Sequence, residues 1–243
     1  MKSGFNALIS VADKSNLDKI AKYLEKINCN IISTGGTYDY LKDLNITNLK
    51  RVSDITNSPE ILDGRVKTLH PIIYGGILAK RDNKKHISEI EDMSGILIDI
   101  VICNLYPFEK TLKNPDSTHQ EIIEMIDIGG PALLRSSAKN YLSVTAVCDI
   151  NDYKNFVNEM NSNKGNTSIQ FREKMAKKIE TEYEIDKLDG IKISIDENTW
   201  SLIRKSNTED IIRISTESND RQLLEKIQSE MIKKVECCYE EIK

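Results

Sequence analysis

Apolar residues gather along the chain into runs of strand length: NALISV (6–11), NIIS (30–33), DIVICNL (99–105) and VTAVC (144–148). Each run is short, rich in β-branched residues and free of polar alternation, which predicts strands buried on both faces of a parallel sheet. Between them the period changes. Leu17, Ile20, Ala21, Leu24 and Ile27 fall at spacings of 3 and 4, and Ile122, Ile123 and Ile126 mark a second such face, so both stretches predict helices with one buried side. Strands alternating with helices predict an α/β fold of layers joined by right-handed crossovers.

The character shifts after about Asn151. NDYKNFVNEMNSNKGNTS is polar and turn-rich, and a boundary is expected near it, before the helical FREKMAKKIE (171–180). Beyond come three strand-like runs, IKISI (191–195), TWSLIRK (199–205) and DIIRISTE (210–217), and a helical pattern over 220–235. Three short strands and a helix predict a small α+β unit, marginal in stability when alone.

A chain of 243 residues is long enough for a real core, since about 70 to 75% of the unfolded surface is buried at this length. The net charge of −4 gives no global positive field for nucleic acid or anionic membrane. Any anion site is therefore local. Charged residues break up the first 25 positions, and Asp99 interrupts the most apolar later run, which argues against a signal peptide or membrane span and for a soluble, cytoplasmic protein. Five cysteines without CxxC spacing and only three histidines (His70, His86, His119) speak against a disulfide framework and a metal site. Cys103 and Cys148 are expected as buried fillers, and Cys237 and Cys238 as an exposed helix end.

In parallel α/β sheets, ligands sit outside the carboxyl ends of the strands. The segments there are SVADKS (10–15), STGGT (33–37), NLYPF (104–108) and DIGGP (127–131). STGGT, between a strand and a helical pattern, is a candidate phosphate cradle built from backbone N–H groups and a helix N-terminus. A tight turn with a threonine cap explains it equally well. Lys14 at the neighbouring strand end favours the anion reading. A second set, Lys67, Tyr106, Asp127 and Lys139, has the profile of acid–base chemistry on a small anionic substrate. Taken singly, each has a plain alternative: a surface turn, an interface ring, a cap and a helix end.

The longer motifs add a resemblance. ISVADKS, STGGT, PEILDGRVKTLHPIIYGGILA (59–79), CNLYPF (103–108), IDIGGPALLRSSAKN (126–140) and GNTSIQFREKMAKK (165–178) together resemble the IMP cyclohydrolase domain of the bifunctional purine biosynthesis proteins, over residues 5 to about 178. The resemblance implies a three-layer, methylglyoxal-synthase-like (MGS-like) fold. It also implies dehydrative ring closure of a formamido imidazole carboxamide ribonucleotide to IMP, with no metal or organic cofactor and a homodimer as the working form. It assigns Ser10, Lys14, Ser33, Thr34, Gly35, Gly36 and Thr37 to phosphate and ribose. Arg65, Lys67, Thr68, Asn104, Tyr106, Asp127, Gly129 and Lys139 would surround the base, with Asp127 and Lys139 moving protons and Lys67 and Tyr106 facing the formyl group. His70 is left a structural role beside Pro71. Ala12 departs from the serine common in relatives.

Those relatives continue into a transformylase domain for which this sequence has no room. Residues from about 181 instead resemble the C-terminal domain of phosphohexomutases, through LDGIKISID (188–196) and WSLIRKSNTEDIIRIS (200–215). In that resemblance Arg204, Ser206, Asn207 and Thr208 form a phosphate loop for a sugar phosphate, without the phosphoserine and magnesium loops of a mutase. The expected organisation is a cyclohydrolase-like domain over 1–180 fused to a mutase-like domain over 181–243. The competing reading is a non-catalytic fusion that binds a nucleotide or sugar phosphate.

Overall fold

The computed structural model describes residues 4–183, 191–196, 199–205 and 212–240. Its contacts divide the chain into two compact units, Met1–Glu180 and Thr181–Lys243.

In the first unit the chain runs β1 (Asn6–Val11), α1 (Leu17–Lys26), β2 (Asn30–Ser33), α2 (Gly35–Asp43), β3 (Leu49–Arg51), α3 (Val52–Thr56), α4 (Pro71–Leu78) and α5 (Lys84–Asp92). It continues through β4 (Ile100–Asn104), α6 (Phe108–Leu112), α7 (His119–Glu124), α8 (Gly129–Lys139), β5 (Thr145–Val147), α9 (Tyr153–Ser162) and α10 (Ile169–Tyr183). The five strands form one sheet in the order β3-β2-β1-β4-β5, and every pairing is parallel. All four expected apolar runs are strands, β1 and β2 over their full length and β4 and β5 trimmed by one residue at each end. The three-residue β3, Leu-Lys-Arg, carries no apolar pattern, as suits a short strand at a sheet edge.

Period-two alternation explains the layers. Ala7, Ile9, Val11, Ile31, Ile100 and Ile102 pack with Leu17, Ile20, Ala21 and Leu24 of α1 and with Tyr153, Phe156 and Met160 of α9. The alternate residues Leu8, Ile32 and Val101 are buried as well, on the face toward α8, whose Leu133 and Leu134 are also buried and which touches β4 and β5. Helix α9 corrects the reading of 151–168 as a boundary. Its three buried residues lie at spacings of 3 and 4 among asparagines, lysine and glutamate, so a narrow apolar stripe hid inside a polar stretch. Farther on, Arg172 of α10 donates to the carbonyls of Tyr141, Leu142 and Thr167, which gives the GNTSIQFREK motif a structural task.

The second unit contains β6 (Ile191–Asp196), β7 (Thr199–Lys205) and β8 (Ile212–Glu217) in one antiparallel sheet, covered by α11 (Arg221–Glu240). Its buried residues include Thr199, Ser201, Ile227 and Met231. Among the described residues, no helix is long and apolar enough to cross a membrane.

Candidate functional site

The winding of the sheet reverses between β1 and β4, since β2 and β3 lie on one side of β1 while β4 and β5 lie on the other. A crevice at the carboxyl ends of these two strands is the expected ligand position. There Asn104 joins the two loops. Its Oδ1 accepts from Ala12 N (2.7 Å) and Asp13 N (2.9 Å), and its Nδ2 donates to Asp13 O (2.8 Å). The amide expected to touch the base is thus spent on holding the β1 loop. Asp13 in turn accepts from Ser15 N, and its hydrogen bonding to Ser15 lowers its carboxyl below the ordinary range. Ser10 sits inside β1, in register with Cys103 of β4.

The STGGT turn divides its donors. Ser33 Oγ donates to Ile9 O (2.7 Å), and Thr37 Oγ1 donates to Val11 O (3.0 Å) while accepting from Val11 N (3.2 Å). Both hydroxyls are buried and lock the turn onto β1, so the two side chains expected to hold phosphate serve the scaffold instead. Thr34 is the N-cap of α2 but accepts no bond from its first turn. Its hydroxyl donates to the Glu60 carboxylate, which also accepts from Gly35 N at 3.0 Å. Gly35 has φ +51°, a conformation that glycine adopts without steric cost. The N–H groups of Gly36 and Thr37, in the first turn of α2, have no intrahelical partner.

Two ammonium groups border this turn. A Cβ built on Gly35 would lie 3.5 Å from Lys67 Nζ, and one built on Gly36 would lie 3.9 Å from Lys14 Nζ. Lys14 and Lys67 therefore flank the start of α2, where the helix dipole already favours an anion.

The neighbouring wall is built at the start of α8. Asp127 Oδ1 accepts from Gly130 N (2.8 Å), and a Cβ on Gly130 would lie 2.5 Å from Asp127 Oδ2 and 2.5 Å from Leu105 Cδ2. Thr68 is 3% exposed and its Oγ1 lies 3.1 Å from a Cβ position on Gly129. Thr68, Gly129 and Asp127 thus stand together, and Leu105 brings the loop of Tyr106 alongside. Tyr106 itself is 41% exposed. Beside Thr68, the Tyr74 hydroxyl is buried, and burial pushes the phenol up to about 12 against the opposing effect of the Thr68 hydroxyl.

Other expected residues lie elsewhere. Helix α8 runs from Gly129 to Lys139, and at 1.5 Å per residue its ends are about 15 Å apart. Within one chain Lys139 is therefore not gathered with Asp127, a correction to the expected pair. Arg65 is engaged by Glu124 in an exposed ion pair. His70 is the N-cap of α4, its Nδ1 accepting from Ile72 N at 3.2 Å ahead of Pro71. Cys29 and Cys103 are buried thiols; burial pushes Cys29 up to about 12 and raises Cys103 as well. Arg204 lies in β7, whereas Ser206, Asn207 and Thr208 of the expected phosphate loop lie outside the described residues, as do the side chains of Cys237 and Cys238. Among the described residues no cluster of three His, Cys, Asp or Glu side chains could hold a metal ion. Glu60, Gly130 and Tyr74 enter the site without having been singled out from the sequence, although all but Gly130 fall in the 59–79 motif.

Residues 16–132 match the MGS-like domain family, and residues 137–185 match the AICARFT/IMPCHase bienzyme family. Residues 162–234 match the C-terminal domain of phosphoglucomutase and phosphomannomutase. A curated relative is the bifunctional purine biosynthesis protein PurH of Lactobacillus acidophilus, 51% identical over 173 residues, which are 71% of this chain and 33% of the relative. PurH of Chlorobium phaeobacteroides is 47% identical over 175 residues, 72% of this chain and 33% of its own length. The chain thus spans about one third of the length of these relatives. A solved structure titled "Crystal structure of ForH" superposes with a TM-score of 0.63 at 31% identity, covering 74% of this chain and 93% of that one.

Proposed function

We propose, for a chain that belongs to the family of MGS-like domains and AICARFT/IMPCHase bienzymes, that residues 1–180 close the second ring of 5-formamidoimidazole-4-carboxamide ribonucleotide to give IMP. The observation that supports this most is the pairing of two subsites: Lys14 beside the Gly36 end of the Gly35–Gly36 turn, and Asp127 with Thr68 at the start of α8, with Lys67 bordering the turn from the loop that also carries Thr68. A ribonucleotide has a phosphate for the first and a base for the second.

The chemistry is a condensation. The carboxamide nitrogen attacks the formyl carbon, forming a C–N bond, and the formyl oxygen takes up negative charge. One proton from the carboxamide nitrogen and one from the formamido nitrogen then leave with that oxygen as water. In this proposal Asp127 accepts the carboxamide proton, and Lys67 with Tyr106 faces the formyl oxygen and supplies charge and a proton. Thr68 and Gly129, packed against each other, form one wall for the base. Arg65 joins them once freed from Glu124. Lys139 can act only from a second copy, and a homodimer is part of the proposal; the exposed Ile123, Ile126 and Ile128 favour such an interface. For the second unit we propose sugar-phosphate binding without mutase chemistry, on the strength of its family match.

The test is direct. The full chain is incubated with the formamido ribonucleotide and the ultraviolet change on ring closure is followed. Conversion no faster than background would sink the enzyme reading and leave a phospholigand-binding protein, which binding of IMP without turnover would then identify.

A further inference from the structure

Glu60 holds an unusual position. Its carboxylate takes the Thr34 hydroxyl proton and the Gly35 N–H at the start of α2. An N-cap threonine ordinarily accepts from its own helix; here it donates outward, and Glu60 becomes the partner of the helix end. A carboxylate there is favoured by the helix dipole.

The same residue begins the loop that carries Arg65, Lys67 and Thr68. That loop is closed by an isolated antiparallel bridge between Ile61 and Val66, with Ile61 N to Val66 O at 3.1 Å and Val66 N to Ile61 O at 3.4 Å. Glu60 and Lys67 flank the bridge on its two strands. Where the chain turns, Leu62, Asp63 and Gly64 have φ of 54°, 54° and 87°, so two non-glycine residues are held in the left-handed region at a cost of order 1 kcal/mol each. A loop so wound keeps its shape only while its ends are fastened. One end is fastened to α2 by Glu60.

From these contacts we infer that Glu60 is a positioning residue: by tying the 60–67 loop to the Thr34–Gly35 corner it sets where the Lys67 ammonium stands, without itself touching a reacting atom. The arrangement also partitions the turn. Glu60 occupies Gly35 N and Thr34 Oγ1 on the Lys67 side, and the N–H groups of Gly36 and Thr37 beside Lys14 remain for a ligand phosphate. Positioning and anion binding are thus separable. This inference rests on the cyclohydrolase reading for its catalytic consequence, though not for the tie itself.

The test compares the full chain with its Glu60→Gln and Glu60→Ala forms by three measurements: ring-closure kinetics, titration with inorganic phosphate, and amide hydrogen exchange at Ile61 and Val66. A shift of about 1 Å in a catalytic group can cost about 100-fold in rate. Glu60→Ala is therefore expected to lower kcat at least about tenfold with KM changed by less than about threefold, and to speed exchange at Ile61 and Val66 at least about tenfold. Glu60→Gln, whose amide oxygen accepts the same two bonds, is expected to recover most of both losses. A merely structural Glu60 would lower the melting temperature and leave kcat per folded molecule intact, which would overturn the inference. So would a rise in KM at constant kcat, or failure of Glu60→Gln to rescue. Should the wild type not turn over at all, the cyclohydrolase reading fails by itself, and exchange still decides the tie: unchanged exchange, or loss of phosphate binding in Glu60→Ala, overturns it.

Discussion

Replacing Gly130 by alanine adds one carbon at the point where the structure is least tolerant of it near Asp127. The new Cβ would lie 2.5 Å from both Asp127 Oδ2 and Leu105 Cδ2. An ordinary contact begins near 3.4 Å, so each neighbour must retreat by about 0.9 Å, comparable to the misplacement that costs about 100-fold in rate. Two energetic effects oppose each other in the fold. Alanine in place of a helical glycine gains up to about 1 kcal/mol, while overpacking costs about 1 to 3 kcal/mol. The net destabilisation is then about 0 to 3 kcal/mol, or up to several degrees in melting temperature at this size. Gly130→Ala is therefore expected to fold, to bind inorganic phosphate as the wild type does, and to lose between about tenfold and 100-fold in kcat for ring closure. Calorimetry, phosphate titration and the ultraviolet assay read these separately. A folded Gly130→Ala protein with undiminished kcat would refute the reasoning, since the Asp127 carboxylate cannot stay in place beside that methyl group.

Three further expectations follow from other parts of the molecule. Lys14→Ala removes one of two ammonium groups beside the turn and is expected to weaken inorganic phosphate binding about tenfold or more with little change in melting temperature, as a titration can show. The Asp149 carboxyl is held below its ordinary range by hydrogen bonding to Lys178 and by Asn151 N–H, and Lys178 also pairs with Asp152. A depressed carboxyl stabilises above its unfolded pKa of about 3.9 and loses that contribution as pH falls through the folded value. Asp149→Asn should thus lower the melting temperature at pH 7, and the difference from wild type should shrink as pH falls below the unfolded value; a difference that stays constant or grows with acidification would contradict the assignment. Finally, if Lys139 acts across a homodimer, mixing inactive Asp127→Ala and Lys139→Ala chains under exchange conditions should restore about a quarter of wild-type activity, because half the dimers carry one intact site; no recovery would exclude an interchain Lys139.

The sheet was legible because its strands are buried on both faces, and burial writes itself as unbroken apolar runs such as NALISV and NIIS. What escaped had weaker signatures. Edge strand β3 has one apolar residue in three, and α9 shows three buried side chains in ten positions, so neither departs far from a polar average. The site was legible at the level of loops, since the topology rule fixes which strand ends converge. It was not legible at the level of atoms. Nothing in the type of Ser33, Thr37 or Asn104 reveals that hydroxyls and amide are consumed by the backbone of β1 and of the loop that follows it, for a serine facing a strand and one facing a ligand are the same letter. Lys139 shows the opposite limit. Helix rise alone separates it from Asp127, and the length of α8 was not drawn from the sequence. Glu60 carries no local signature, because its partner Thr34 lies 26 residues earlier.

The Asn104 clamp has a bearing on how the protein reaches its working form. Its bonds to Ala12 and Asp13 span 92 and 91 residues of chain, so they can close only after the β1–β3 winding and the β4–β5 winding have met. Contacts of such separation carry a high loop-closure cost and belong to slow folding steps. The loop carrying Lys14 therefore takes its final shape late, with the joining of the two windings, and under the proposed reading phosphate binding would report complete folding of the first unit. During synthesis, a chain released only as far as residue 60 would possess the STGGT turn yet lack the amide that sets the lysine beside it.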